Sequence, residues 1–126
     1  FILKNINWKC EIKTLFREEN LGCKYAVSSA ITWFFENEEM GIILEDDCLP
    51  KQEFFAFCEN GLKKYKGDSD IAGIGGFVAM CNGEPFLSLH GSVWGWGTWR
   101  KVWSQYDIEA VLNQADLRFV AETSYL

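Results

Sequence analysis

An apolar run that ends in three acids constrains this chain more than any other segment. Gly41–Leu44 is followed directly by the acidic triplet Glu45–Asp47, and Pro50 comes three residues later. Nothing in Ile42–Leu44 alternates with polar residues, which predicts a strand buried on both faces. The three acids then lie at the carboxyl end of that strand, the position at which open α/β sheets bind their ligands.

The acidic triplet itself predicts a divalent metal site. Three adjacent carboxylates repel one another and lose hydration when they are packed together, so a nearby cation is favourable. Mg²⁺ and Mn²⁺ prefer oxygen ligands, and they often take only one or two protein carboxylates with substrate phosphates completing the shell. The alternative interpretation is a solvated acidic turn without a ligand.

Composition limits the class of protein. The chain has 126 residues, which suits one domain, and its six Trp and ten Phe can supply a sizeable core. A formal net charge of -6 argues against a nucleic-acid partner, because such proteins normally carry a basic face. No apolar stretch is long enough to span a bilayer, and the chain does not open on a signal peptide.

The cysteines indicate reduced thiols. There are five, an odd number, with no CxxC pair, and His90 is the one histidine. This pattern favours neither a zinc site nor a disulfide framework. Reduced thiols are typical of the cytoplasm, so we expect a cytoplasmic location, with peripheral association at the inner membrane as a further option.

Hydrophobic periodicity predicts alternating strands and helices. Strands are predicted over Trp8–Phe16, Ile42–Leu44, Asp70–Phe77 and Phe86–Leu89. Helices are predicted over Tyr25–Asn37, Gln52–Lys64, Thr98–Tyr106 and Ala110–Ala121. Strands that alternate with helices predict an α/β fold with a mostly parallel sheet, covered by helices on both faces.

A tryptophan-rich segment follows, with four Trp between positions 94 and 103 and glycines between the first of them. One interpretation is a loop that presents indole faces to a sugar or a nucleobase. The other is core packing around a tight turn. Trp99 and Trp103 are four residues apart and are predicted to pack together on one helix face. For Trp94 and Trp96 both interpretations stay open.

These segments, taken in order, resemble a known family. Asn20–Lys24, Gly41–Pro50 and Gly95–Trp99 are similar to the nucleotide-diphospho-sugar glycosyltransferases of the GT-A fold. The likeness is strongest to bacterial family 2-like, HlpA-like proteins and weaker to N-acetylglucosaminyltransferase I, and it spans about Arg17 to Tyr106. The resemblance implies a Rossmann-like, mostly parallel sheet flanked by helices.

The resemblance also implies a role for individual residues. It makes Asp47 the ligand of Mn²⁺ or Mg²⁺, and Asp46 the contact to the ribose or donor sugar. It places the loop that contains Trp96 against the donor sugar or the acceptor. The implied nucleotide-sugar-binding positions are Asn20, Lys24, Glu45, Asp46 and Trp96.

The reaction implied is transfer of a sugar from a nucleotide-diphosphate donor, a UDP-sugar, to a hydroxyl of a glycan, lipid or protein acceptor. The metal neutralises the leaving diphosphate.

The resemblance also bears on the ends of the chain. The family's first strand would precede Phe1. The general base follows the tryptophan loop, and no acid there has the right context: Asp107, Glu109, Asp116 and Glu122. We therefore expect the base to lie beyond Leu126, and residues 1–126 to form a single partial glycosyltransferase domain, incomplete at both ends and inactive alone.

Two other functions remain open from the sequence. A non-catalytic carbohydrate-binding module would use the tryptophan loop as its platform and has no need of Glu45–Asp47. A Mg²⁺-dependent phosphoryl-transfer or hydrolytic enzyme would use Asp46 as its nucleophile. That enzyme also needs a phosphate-binding Ser or Thr and a Lys at suitable strand ends, and the sequence shows no clear set.

Overall fold

The computed structural model describes residues 2–76, 86–88, 91 and 93–109. A 3₁₀ turn, Ile2–Asn5, precedes the regular elements. In chain order these are α1 (Gly22–Asn37), β1 (Met40–Ile43), α2 (Gln52–Lys64), β2 (Ile74–Gly75), β3 (Trp96–Trp99) and α3 (Arg100–Trp103). Among the described helices, none combines the length and the apolar character that crossing a membrane requires.

The strands form an antiparallel sheet in the order β1-β3-β2. Met40 of β1 lies opposite Trp99, and Ile74 of β2 lies opposite Gly97. The predicted Rossmann-like, mostly parallel sheet is therefore wrong, because both pairings within the described residues are antiparallel. Apolar periodicity identifies a strand, but it does not give the strand's direction or its neighbours.

The central strand, β3, was not predicted as a strand: the sequence favours a loop or a tight turn for this segment, with a helix beginning at Thr98. Gly97 of β3 lies so close to its neighbours that an added Cβ would be 3.1 Å from Leu62 Cδ1 and 3.2 Å from the Gly41 carbonyl oxygen. Only glycine fits there without displacement, and glycine also makes a strand look like a loop in sequence. The helix predicted over Thr98–Tyr106 is confirmed only for Arg100–Trp103.

Two predicted strands are not formed within the part of the chain that the structure describes. Residues 6–17 have no regular secondary structure, and Trp8 and Phe16 are exposed. Alternation alone does not make a strand when no neighbouring strand covers its apolar face. Residues 86–88, the described part of the predicted strand Phe86–Leu89, are also irregular. The helix predicted over Ala110–Ala121 lies outside the described residues.

The remaining elements agree more closely with prediction. Helix α2 has the predicted bounds. Helix α1 begins at Gly22, three residues before the predicted Tyr25. β1 ends at Ile43 and is half-buried rather than buried on both faces, and β2 is only two residues long.

The core lies between α2 and the sheet. Its buried apolar residues are Cys58, Leu62, Ile74 and Trp99. The Trp99 indole Nε1–H donates to the Leu62 carbonyl oxygen at 3.1 Å, and the buried Thr98 hydroxyl donates to the Ala72 carbonyl oxygen at 2.7 Å. Burial raises the pKa of the Cys58 thiol, which keeps it protonated in this core. Trp99 thus belongs to a strand rather than to the helix face predicted for it with Trp103.

Candidate functional site

An open cavity of about 860 Å³ lies at one edge of the sheet. Because β3 is antiparallel to both neighbours, its amino end meets the carboxyl ends of β1 and β2 at this edge. The cavity is lined by the loop after β1, the start of α2, Gly76 after β2, and Trp94 and Gly95 before β3. Segments distant in sequence are therefore brought together by the antiparallel closure of the sheet.

The acidic triplet forms a turn beside this cavity. The Cys48 backbone N–H donates to the Glu45 carbonyl oxygen at 3.2 Å, which places Asp46 and Asp47 at the corner. Glu45, Asp46 and Asp47 are all exposed, and of the three only Asp47 is among the residues that line the cavity. The Cys48 thiol donates to Asp47 Oδ1 at 3.8 Å, a weak hydrogen bond that orients the carboxylate.

Gly95 holds the tryptophan-rich segment against the cavity. It has φ +78°, and an added Cβ would lie 3.2 Å from the Phe54 ring and 3.3 Å from Leu44 Cδ2. Its carbonyl oxygen accepts the Gly76 N–H at 2.9 Å, which ties the segment to the end of β2. The positive φ and the lack of room for a Cβ both favour glycine at this position. Trp94, just before it, lines the cavity and is 58% exposed.

Trp96 occupies different surroundings. It is half-buried, and its ring centroid lies 6.3 Å from that of Trp103. Trp103 in turn stacks on Tyr106 at 4.5 Å, and its Nε1–H donates to the Thr32 hydroxyl at 3.0 Å. Trp96 is not among the residues that line the cavity. Its contact with a sugar stays a prediction.

Asn20 and Lys24 have partners near the start of α1. Asn20 Oδ1 accepts the Gly22 N–H at 2.9 Å. Lys24 Nζ donates to the Tyr25 hydroxyl at 3.3 Å and lies 3.6 Å from a carboxylate oxygen of Glu109. Desolvation lowers the pKa of Lys24, but the Tyr25 hydroxyl and Glu109 outweigh it, so the pKa is raised overall. Neither Asn20 nor Lys24 lines the cavity, and their contacts with a nucleotide stay predictions.

Several lining residues were not identified as site residues from the sequence, among them Lys51, Glu53 and Phe57. Lys51 is the one basic residue among the described residues of the cavity, Glu53 is a second acid beside Asp47, and Phe57 adds an aromatic side chain. No motif marks them. The one sequence signal near them is Pro50. Proline is common at the start of a helix, so it predicts that the first turn of α2 directly follows the acidic turn.

The Asp47 carboxylate on the cavity suits a hard divalent cation whose remaining coordination positions are filled by a bound ligand. Among the described residues, no three or more His, Cys, Asp or Glu side chains are grouped to hold a metal by themselves. Mg²⁺ and Mn²⁺ are commonly held by one or two carboxylates together with phosphates. The Asp47 carboxylate on an open cavity fits that type of site.

None of the acids considered as a general base is among the described residues that line the cavity. Glu109 pairs with Lys24 and accepts the Tyr25 hydroxyl at 3.1 Å. Asp107 Oδ1 accepts the Glu109 N–H at 2.8 Å. Asp116 and Glu122 lie outside the described residues. A base beyond Leu126 stays a prediction.

No protein-family model, curated protein or solved structure matches this chain.

Proposed function

We propose that this protein transfers a sugar from a nucleotide-diphosphate donor, such as a UDP-sugar, to an acceptor hydroxyl. One observation carries the proposal: Asp47 and Trp94, from the two most unusual segments of the chain, line one cavity of about 860 Å³. Small-molecule sites typically have volumes of about 300–1,000 Å³. A carboxylate that can share a divalent cation with phosphates, together with an exposed indole on the same cavity, suits a ligand that has both a diphosphate and a sugar ring.

Three residues that line the cavity, Asp47, Lys51 and Trp94, have a chemical part in this proposal. Asp47 holds the divalent cation, Mn²⁺ or Mg²⁺, which when bound neutralises charge on the leaving diphosphate. The Lys51 ammonium contacts a phosphate oxygen as a second positive charge. The contacts of Asp46 and Glu45 with the ribose or the donor sugar stay predictions, because neither residue is among those that line the cavity. Trp94 covers the apolar face of a sugar ring or a base.

Net charge and the state of the thiols support the proposed acceptor class and the proposed location. The acceptor is a glycan, lipid or protein hydroxyl, and the net charge of -6 supports a partner other than nucleic acid. The four described cysteines, Cys10, Cys23, Cys48 and Cys58, are free thiols, which supports the cytoplasm as the location.

The two other functions make different use of the cavity. A non-catalytic carbohydrate-binding module would use Trp94 but not Asp47. A phosphoryl-transfer enzyme would need its nucleophile in the cavity, and Asp46 is not among the lining residues. The structure therefore gives more support to Asp47 as a metal ligand than to Asp46 as a nucleophile.

Calorimetry with UDP, in the presence and absence of Mn²⁺, tests the proposal. We expect UDP binding to require Mn²⁺, and Asp47→Asn to weaken it by at least about tenfold, or ~1.4 kcal/mol. Asp70→Asn, which removes an exposed carboxylate outside the cavity, is the matched control and is expected to bind as the wild type does.

Two results would contradict the proposal. Unchanged Mn²⁺-dependent UDP binding in Asp47→Asn would remove Asp47 from the metal site. Binding of simple glycosides without any binding of UDP would instead identify a non-catalytic carbohydrate-binding module.

A further inference from the structure

Strand β1 has an unpaired side. It lies at the end of the strand order, with β3 as its neighbour on the other side. The Arg100 N–H donates to the Glu39 carbonyl oxygen at 2.8 Å, so these opposite residues form a hydrogen-bonded pair. Hydrogen-bonded and non-hydrogen-bonded pairs alternate along an antiparallel ladder, so Met40 and Ile42 direct their N–H and C=O groups away from β3. No backbone hydrogen bond reaches these groups from any residue that the structure describes.

This row of N–H and C=O groups, on Met40 and Ile42, is called the open side of β1 below. It lacks three features by which proteins commonly protect a strand edge, namely charged side chains, proline and a bulge. Residues 40–44 contain no charge and no proline, and the register of β1 with β3 runs without interruption. An edge of this kind pairs readily with a further extended segment.

The residues on either side of β1 determine which segment suits it. Residues 36–47 contain six acids and no basic residue: Glu36, Glu38, Glu39, Glu45, Asp46 and Asp47. Pairing of β1 with the β1 of a second copy would bring these acids together, and like charges on paired strands are destabilising. The complementary segment therefore combines apolar residues with basic ones.

Residues 8–17 of this same chain have that chemistry. They contain three basic residues and one acid, and their apolar and polar side chains alternate as in a strand. Yet they have no regular secondary structure and no backbone hydrogen bond to the described part of the sheet, and Trp8, Ile12 and Phe16 are exposed. One chain thus carries both a strand edge without a partner and a complementary strand sequence without a partner.

We propose that residues 8–16 of a second copy of this chain add to the open side of β1 as a further strand. The exchange is reciprocal and gives a dimer with two-fold symmetry, in which the open side of each copy is paired. Backbone hydrogen bonds supply the pairing, and the opposite charges of the two segments favour it. This inference goes beyond the proposed sugar transfer and does not depend on it.

Hydrogen exchange of the backbone amides, measured on the full chain at increasing protein concentration, tests the proposal. We expect the Met40 and Ile42 N–H groups to become protected as concentration rises, together with amides of residues 8–16, while sedimentation velocity shows the dimer forming. The Gly41 N–H faces β3 and is the internal control, because its protection should not depend on concentration.

Variants in residues 8–16 test which segment is added. Ile12 and Lys13 are consecutive, so one of them directs its N–H to β1, and the double variant Ile12→Pro, Lys13→Pro should abolish the dimer. Lys9→Glu should weaken dimerisation by about tenfold, because a reciprocal dimer contains the like-charge contact twice. Lys101→Glu makes the same change in net charge at an exposed position of α3 and is the matched control.

Lys9→Glu keeps the test decisive if the proline variant does not fold. A chain that stays monomeric at every concentration would overturn the proposal. Protection of Met40 and Ile42 that is independent of concentration would also overturn it, because the added strand would then belong to the same copy. A dimer that survives the double variant, or that Lys101→Glu weakens as much as Lys9→Glu does, would exclude residues 8–16 as the added strand.

Discussion

The two ends of the tryptophan-rich segment differ sharply in surroundings. Trp99 is 6% exposed and its indole N–H is bonded to the Leu62 carbonyl oxygen, whereas Trp94 is 58% exposed on the cavity. β3 pairs with β1 at Trp99, and Trp94 comes before this pairing begins. Residue type therefore does not separate a buried tryptophan from an exposed one. What separates them is position along β3, because Trp99 lies in the paired strand and Trp94 precedes it.

The largest expected effect separates these two residues directly. Trp99→Ala should lower the free energy of unfolding by roughly 3–5 kcal/mol, because it leaves a cavity in the core and the Leu62 carbonyl oxygen without its donor. Trp94→Ala should change it by no more than about 0.5 kcal/mol, as an exposed substitution does. Urea denaturation followed by circular dichroism measures both. Equal destabilisation by the two variants would show that Trp94 contributes as much to the stability of the fold as Trp99 does.

An intermediate effect is expected at Gly97, between the two tryptophans. Gly97→Ala forces a methyl group against Leu62 and the Gly41 carbonyl oxygen and should cost roughly 1–3 kcal/mol. Gly91→Ala is the matched control, because an added Cβ there meets nothing within 4 Å. Thermal melts of both variants sharpen the comparison. A Gly97→Ala protein as stable as Gly91→Ala would show that β3 is not closely packed at its centre.

The smallest effect is expected from the exposed ion pair between Lys66 and Glu39, the residue that directly precedes β1. Lys66 donates to Glu39 at 2.8 Å, and this hydrogen bond, followed by the Lys66 charge, lowers the pKa of Glu39 below its ordinary 4.5. A lowered pKa in the folded state means that the pair stabilises the fold above pH 4.5 and that this contribution is lost as pH falls through the folded-state pKa.

Glu39→Gln should therefore be slightly less stable than the wild type near neutral pH, and the difference should vanish on acidification. Urea denaturation across a pH series measures it, with Glu36→Gln as an exposed control on α1. A difference that grows as pH falls would contradict the sign of this linkage.

Much of the local structure could be predicted from the sequence. The apolar stripe of α2 gave its bounds, Gln52–Lys64, and the apolar run before the acids is a strand. The strand direction could not be predicted, because it depends on β3, and the segment that contains it, with Gly95 and Gly97, has the composition of a loop. The strand predicted over Trp8–Phe16 failed for the opposite reason, since its alternation was clear but no strand among the described residues pairs with it.

The candidate site was only partly accessible to sequence reasoning. Asp47 stands out because adjacent carboxylates are costly, and the structure places it on the cavity. Lys51 and Glu53 carry no local signal, because only the folded sheet edge brings the start of α2 beside Gly76 and Gly95. Asn20 and Lys24 belong to a recognisable segment, yet their described contacts are with Gly22, Tyr25 and Glu109.

The most direct test of the central claim, that Asp47 and Trp94 face one metal–nucleotide site, is paramagnetic broadening of the indole N–H resonances by Mn²⁺ in the presence of UDP. We predict that the Trp94 resonance broadens at the lowest Mn²⁺ concentration, before those of Trp8 and Trp103, and that Asp47→Asn abolishes this order. Equal broadening of all indoles, or a Trp94 resonance that Mn²⁺ leaves sharp, would contradict the account.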